Sequence, residues 1–318
     1  MSDVEITVPG VWPERDAGRF ASFIGAASEV PAGAADERFT VALLGLPDDT
    51  GVRLNNGRPG AAEGPLAFRA ALASYGARDA AGICADGRAW PPVVDAGDVV
   101  PSSESDPARA LRDTHERVFA AACRLQMSGF FVVGIGGGHD LTYPLARAAA
   151  TRYGPLEMVY LDAHLDVREE PGSGMPFRRL FEGGWIDGAR VVGIDRRVNT
   201  AEHSDYFRSC GGREILSVEG IAEGGSAGAA YASIDLDAVD ASAAPGVSAL
   251  NPCGLSPREA DRFAETVGWW PELRGFDIME LSPPHDEQGR TARLAARLFL
   301  TLLMSLLEFS DTACGFVA

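Results

Sequence analysis

Short apolar runs alternate with segments of helical period along most of this chain. The runs are "FTVALLGLP" (39–47), "GFFVVGIG" (129–136), "LEMVYLDA" (156–163), "ARVVGID" (189–195), "AAYASIDL" (229–236) and "ELRGFDIMEL" (272–281). They are apolar at consecutive rather than alternate positions. That pattern predicts strands covered on both faces, as in a parallel sheet. Between them, "GPLAFRAALASYG" (64–76), "DPARALRDTHERVFAAACRLQMSG" (106–129) and "SPREADRFAETVG" (256–268) predict helices. In the last, Ser256 is the expected cap and Pro257 the first helical residue. The most apolar stretch, "LAARLFLTLLMSLLEF" (294–309), is shorter than the ~20 residues of a membrane span, and Arg297 interrupts its start. It predicts a buried or interface helix. Strand and helix in alternation predict a doubly wound α/β architecture. The Gly/Ala-rich loops at 25–37 and 223–229 are too short to separate domains, so one domain is expected over 1–318.

Open α/β sheets build their sites at the carboxyl ends of strands, and three polar clusters here each follow an apolar run. "GIGGGHD" (134–140) supplies His139. "YLDAHLDVR" (160–168) supplies Asp162, His164 and Asp166. "SIDLDAVD" (233–240) supplies Asp235 and Asp237. On an extended chain, residues two apart point the same way, so the second cluster projects three ligands to one side and the third projects two. Four carboxylates together repel unless some protonate, and two divalent cations cancel them. A pair of ions ~3.5–4 Å apart lowers the pKa of a bridging water enough to give hydroxide at neutral pH. Carboxylates and imidazoles without thiolate suit Mn²⁺ best. A metal-dependent phosphohydrolase could use the same carboxylates; its only candidate phosphate cradle is the "GIGGG" run, which lacks the P-loop GK[ST].

Composition narrows the possibilities. The formal charge of −17 and pI near 4.7 disfavour nucleic acid and anionic membranes as partners. There is no lysine; all 28 basic residues are Arg. Schiff-base chemistry and a P-loop lysine are excluded. Cys84, Cys123, Cys210, Cys253 and Cys314 are scattered and odd in number, which predicts a reduced, cytoplasmic chain without a disulfide framework. The opening "MSDVEITVPGVWPERDAGRF" has no basic segment followed by an apolar one, so no signal peptide is expected.

The three clusters, with "GVRLNNGRPGAAEGP" (51–65), "SAAPGVSALNPCGLSP" (242–257) and "MELSPPHDEQGRTARLAARL" (279–298), resemble the ureohydrolase superfamily of arginase, agmatinase and formimidoylglutamase. The resemblance implies a three-layer α/β/α sandwich around a mostly parallel sheet, two Mn²⁺ per chain, and a homo-oligomer, trimer or hexamer. It implies one ion on His139, Asp162, Asp166 and Asp235, and the other on Asp162, His164, Asp235 and Asp237. Asp166 would orient the attacking hydroxide and pass its proton to the leaving nitrogen, while Glu280 would hold the amidinium. "GGGH" and the absence of a histidine from "EEPGSGMPF" (169–177), where Ser173 stands, are most similar to formimidoylglutamase. Arg168 suits a substrate carboxylate by bidentate pairing, with Arg53 and Arg58 as further candidates. The expected substrate is therefore N-formimidoyl-L-glutamate, in histidine metabolism, with Arg168, Ser173 and Glu280 binding it. A urea-releasing guanidino-acid hydrolase is the alternative. His115 is expected on an ordinary helix face, His203 and His285 in loops, and Trp269 and Trp270 in a core or interface.

Overall fold

The structure is a computed structural model. It describes residues 6–27, 40–77, 89–222, 225–226 and 228–314, with side chains in the last helix described to residue 306. Of the loops expected at 25–37 and 223–229, residues 28–37, 223–224 and 227 lie outside these residues, as do Cys84 and the side chain of Cys314. The strands are β1 (Thr7–Val8), β2 (Gly25–Ala26), β3 (Val41–Leu46), β4 (Val93–Val99), β5 (Phe131–Gly136), β6 (Leu156–Leu161), β7 (Ile186–Val192), β8 (Gly212–Ile215), β9 (Ala230–Asp235) and β10 (Leu273–Met279). They form one sheet in the order β1-β4-β3-β5-β10-β9-β6-β7-β8, with β2 pairing β4. Only β1 runs antiparallel to its neighbour.

The helices are α1 (Thr50–Leu54), α2 (Gly64–Ala73), α3 (Pro107–Met127), α4 (Thr142–Tyr153), α5 (Pro176–Glu182), α6 (Ala201–Ser209), α7 (Glu219–Ala222), α8 (Pro257–Gly268) and α9 (Arg290–Cys314). They cover both faces of the sheet, giving the α/β/α sandwich. On one face α2, α8 and α9 pack on Leu43, Val133, Val159, Ile234 and Ile278. On the other α3, α4, α5 and α6 pack on Leu44, Val132, Met158, Tyr160 and Met279. Neighbouring residues of one strand thus serve opposite cores, which is why the runs are apolar throughout. Helix α9 is the expected buried helix. Leu298, Phe299 and Leu302 are fully buried, Phe299 meets Phe68 of α2 edge-on, and exposed Arg297 pairs with Asp261 of α8 at 2.7 Å. Among the described residues no helix is long and apolar enough to cross a membrane. Ser256 caps α8 in a reciprocal capping box with Glu259, and Pro257 opens the helix.

Four strands, β1, β2, β4 and β8, lie outside the expected apolar runs, and β4 is the longest of them. β4 reads "VVDAGDV", yet it holds because buried Arg69 of α2 binds Asp95 at 2.9 Å and Asp98 at 2.7 Å. The Trp12 indole also donates to Asp95, tying the amino-terminal segment to this edge.

Candidate metal centre

Four adjacent strands, in the order β5-β10-β9-β6, end at the same edge of the sheet. Past β5 comes His139, past β10 Glu280, at the end of β9 Asp235 and then Asp237, and past β6 Asp162, His164 and Asp166. Residues distant in sequence are brought together by this order alone. One ligand atom from each of His139, Asp162, Asp166 and Asp235 lies within 4.8 Å of the others; a second such group joins Asp162, His164 and Asp237. Asp162 belongs to both. Asp235 falls in the first group only, and its Oδ1 accepts the Asp237 amide at 2.8 Å.

The extended-chain picture of these ligands needs correction. β6 stops at Leu161 and β9 at Asp235. Beyond them the chain turns: Asp162 Oδ1 accepts the His164 amide at 2.6 Å, Asp235 caps a short 3₁₀ turn, and Asp166 has φ of +49°. Glu280 has φ of +65°. Such left-handed residues cost energy and persist where their surroundings hold them. Here Tyr160 donates to Leu165 O at 3.0 Å, and Asn199 accepts the Leu165 amide at 2.9 Å and donates to Ala163 O at 2.9 Å. The Glu280 amide donates to Gly137 O at 2.9 Å.

Charge dominates the site. His139 Nδ1 lies 3.2, 2.8 and 3.2 Å from oxygens of Asp162, Asp166 and Asp235. His164 Nδ1 is 3.3 Å from both Asp162 and Asp237. Burial alone lowers the pKa of His139, but the three carboxylates outweigh it and hold it well above the ordinary value. For His164 the Asp237 charge raises it strongly. Burial lifts Asp166 to about 6 and Glu280 to about 8. Without cations, therefore, protons neutralise the cluster. The donor set fits divalent ions better: Asp237 Oδ1 and Glu280 Oε2 are buried with no hydrogen-bond donor among the described residues, and such groups call for a charge partner. Behind His139, Nε2 meets Ser233 Oγ at 3.0 Å, and Ser233 donates to buried Asp277 at 2.5 Å. Metal-ligating imidazoles are commonly oriented in this way.

The "GIGGG" run cannot cradle phosphate, because its amides are spent. Those of Gly137 and Gly138 donate to Leu46 O and Asp48 O at 3.0 Å each, and that of His139 to Glu280 Oε1 at 2.8 Å. A Cβ on Gly137 would come within 1.9 Å of Asp48 O, so the glycine serves close backbone approach.

A cavity of about 100 Å³ opens onto the cluster, lined on one side by His164, Asp166, Asp235, Asp237 and Glu280. Arg168, Ser173, Asn55 and Ser248 line its other side. Arg168 is exposed and makes no ion pair among the described residues, with Glu169, Glu170 or any other carboxylate. Arg53 and Arg58 do not line the cavity. Arg53 pairs with Asp49 at 2.8 Å, and Arg58 donates to the Pro245 and Val247 carbonyls. Asn55 and Ser248 are the residues missed; both stand in stretches that carry the family resemblance, where their neighbours drew the eye.

The other histidines sort clearly. His203 is in α6 rather than a loop, and His285, half-buried in a 3₁₀ turn, donates from Nε2 to Pro59 O at 2.9 Å. His115 is on the buried face of α3, 2.7 Å from Asp140, the residue after His139. Trp270 is core, under the Arg190 guanidinium, and Trp269 is partly exposed.

The profile of the Arginase family matches residues 39–305. The chain belongs to the arginase family. Among its relatives, Halobacterium salinarum formimidoylglutamase is 34% identical over 296 residues, covering 88% of this chain and 92% of that one. The human mitochondrial guanidino acid hydrolase is 31% identical over 297 residues, covering 87% and 81%. The crystal structure of Trypanosoma cruzi formiminoglutamase with Mn²⁺₂ superposes with a TM-score of 0.76 at 27% identity, covering 91% and 98%. This arginase-family chain is thus a ureohydrolase, a hydrolase of linear amidines, with a His/Asp metal-binding site at the carboxyl edge of its sheet.

Proposed function

We propose that this chain hydrolyses the amidine C–N bond of N-formimidoyl-L-glutamate to L-glutamate and formamide, using two Mn²⁺ per chain. The carrying observation is the free guanidinium of Arg168 at one side of the cavity, with the Glu280 carboxylate at the other. A substrate with an amidinium at one end and carboxylates at the other matches that polarity. The ions, held by His139, Asp162, His164, Asp166, Asp235 and Asp237, would lower the pKa of water between them and supply a nucleophile at neutral pH. Glu280 accepts hydrogen bonds from the amidinium and keeps its carbon electrophilic. Asp166 takes the proton from the attacking water and delivers it to the leaving amine nitrogen. Arg168, with Ser173 beside it, fixes the carboxylate end.

The second reading is a guanidino-acid hydrolase that releases urea, favoured by the similarity to the human guanidino acid hydrolase. Agmatine has no carboxylate for Arg168. The test is glutamate and formamide release from N-formimidoyl-L-glutamate by Mn²⁺-loaded protein, beside an EDTA-stripped control. Metal-dependent release supports the proposal. No release from protein holding two ions, with urea formed from 4-guanidinobutyrate instead, would replace it by the second reading.

A further inference from the structure

The segment that carries Arg168 and Ser173 is a loop, "REEPGSG" (168–174), that closes on itself: the Arg168 amide donates to Gly174 O at 2.8 Å. It is anchored to α1 rather than to the sheet. The Ser173 amide donates to Gly51 O at 3.0 Å, and the Asn55 carboxamide donates from Nδ2 to Ser173 Oγ at 3.3 Å. Asn55 sits at the carboxyl end of α1, where Asn56, with φ of +59°, turns the chain back. Two glycines let the loop wrap the carboxamide. A Cβ on Gly172 would lie 1.9 Å from Asn55 Oδ1, and one on Gly174 would lie 2.9 Å from both Asn55 Nδ2 and Arg168 Cδ. The Asn55 amide and the Arg168 stem therefore flank the same glycine.

Nδ2 carries two hydrogens. One goes to Ser173. The other has no acceptor among the described residues, and Asn55 lines the cavity together with Arg168. We infer that Asn55 is a specificity-determining residue: one amide hydrogen holds the Ser173 turn, and the other meets the substrate carboxylate that pairs with Arg168. The inference rests on the carboxylate-binding role of Arg168 and extends it. A carboxylate only accepts hydrogen bonds, so an amide N–H beside a guanidinium completes its recognition, whereas an aspartate of the same shape would repel it.

The test uses the Mn²⁺-loaded protein and two paired substrates, N-formimidoyl-L-glutamate against N-butylformamidine, and 4-guanidinobutyrate against butylguanidine. The readout is the ratio of kcat/KM with and without the carboxylate, in whichever pair is turned over. Asn55→Asp should lower that ratio at least about tenfold, the loss of a hydrogen bond to a charged group, with the change in KM rather than kcat. Asn55→Ala should lower it less, and Gly172→Ala, which displaces the carboxamide, should lower it as well. Metal content and melting temperature, read alongside, separate these effects from misfolding. A ratio within twofold of wild type in Asn55→Asp would overturn the inference. A wild-type chain with no preference for the carboxylate would instead overturn the role of Arg168, and this inference with it.

Discussion

The two sides of the cavity are built on different principles. The metal side stands on the ends of four adjacent parallel strands, with His139, Asp162, Asp235, Asp237 and Glu280 almost wholly buried. Its positions are enforced by the sheet, by braces such as Tyr160 and Asn199, and by the need to neutralise four carboxylates. The Arg168 side is a loop tied to itself by the Arg168 amide, to α1 and its carboxyl end through Ser173, and to α5 through the Arg179 guanidinium, which donates to Glu169 O at 2.7 Å. In general, a rigid scaffold that holds reacting groups, with a variable loop beside it, allows one reaction type to serve different substrates. Relatives named for different substrates, at similar identity to this chain, fit that division.

Substitutions can break this comparison. The largest effect is expected on the metal side. Asp235→Ala removes a carboxylate that faces His139 at 3.2 Å, so metal content and turnover should fall together; near-normal activity would dismiss the binuclear centre. Glu280→Gln should keep its metal and lose about 10²–10³ in kcat/KM, the scale of removing one charge-stabilising group. Equal metal loss in that variant would make Glu280 part of the scaffold rather than the substrate site. On the loop side, Arg168→Ala should raise KM about 10- to 100-fold with metal content unchanged. A fall in kcat at constant KM would contradict its role in ground-state binding.

A finer contrast lies in pH. In the metal-free protein the folded-state pKa values of His139, His164, Asp166 and Glu280 are all raised. The folded chain then binds more protons than the unfolded one, so its stability falls as pH rises from about 4.5 through about 8. Cations replace those protons, so Mn²⁺ binding should release protons and tighten across the same range. Melting curves at pH 6, 7 and 8 with and without Mn²⁺ should show the metal-induced increase growing with pH; a constant increase would mean the imidazoles are already neutral. Arg168→Ala should leave that trend intact, since Arg168 stands outside the cluster.

The smallest catalytic effect is expected behind the site. His115→Phe leaves the Asp140 carboxylate buried without its one hydrogen-bond partner among the described residues. It should cost about 3 kcal/mol of stability and weaken metal binding modestly through the turn that carries His139. Calorimetric unfolding would check this, and an unchanged melting temperature would show that water enters to replace the imidazole.

Most of the metal side was legible in the sequence; on the loop side Arg168 and Ser173 were, and Asn55 and Ser248 were not. His139, Asp162, His164, Asp166, Asp235 and Asp237 announce themselves as polar residues directly after apolar runs, where a solvated reading would demand a turn and nothing more. β4 was hidden because Asp95 and Asp98 look like loop residues until Arg69 is seen against them. Asn55 was hidden because nothing local distinguishes it; Ser173, its partner, is 118 positions away. His115 has the periodicity of any buried helix residue, and only Asp140 across the interface gives it a task.

The sequence by itself determined which residues are buried and which carry charge. Periodicity records the environment of a position, and a carboxylate or imidazole at the end of a buried run keeps its chemistry in any fold. Only the tertiary structure decided which strand ends are neighbours, because the β5-β10-β9-β6 order follows from how helices pack over the sheet rather than from chain order. It also decided how the ligands are aimed, through the turns and left-handed residues that replace the expected extended chain. And it alone brought Asn55 to Arg168, since a contact between a short helix and a distant loop depends on three-dimensional closure, which no local pattern encodes.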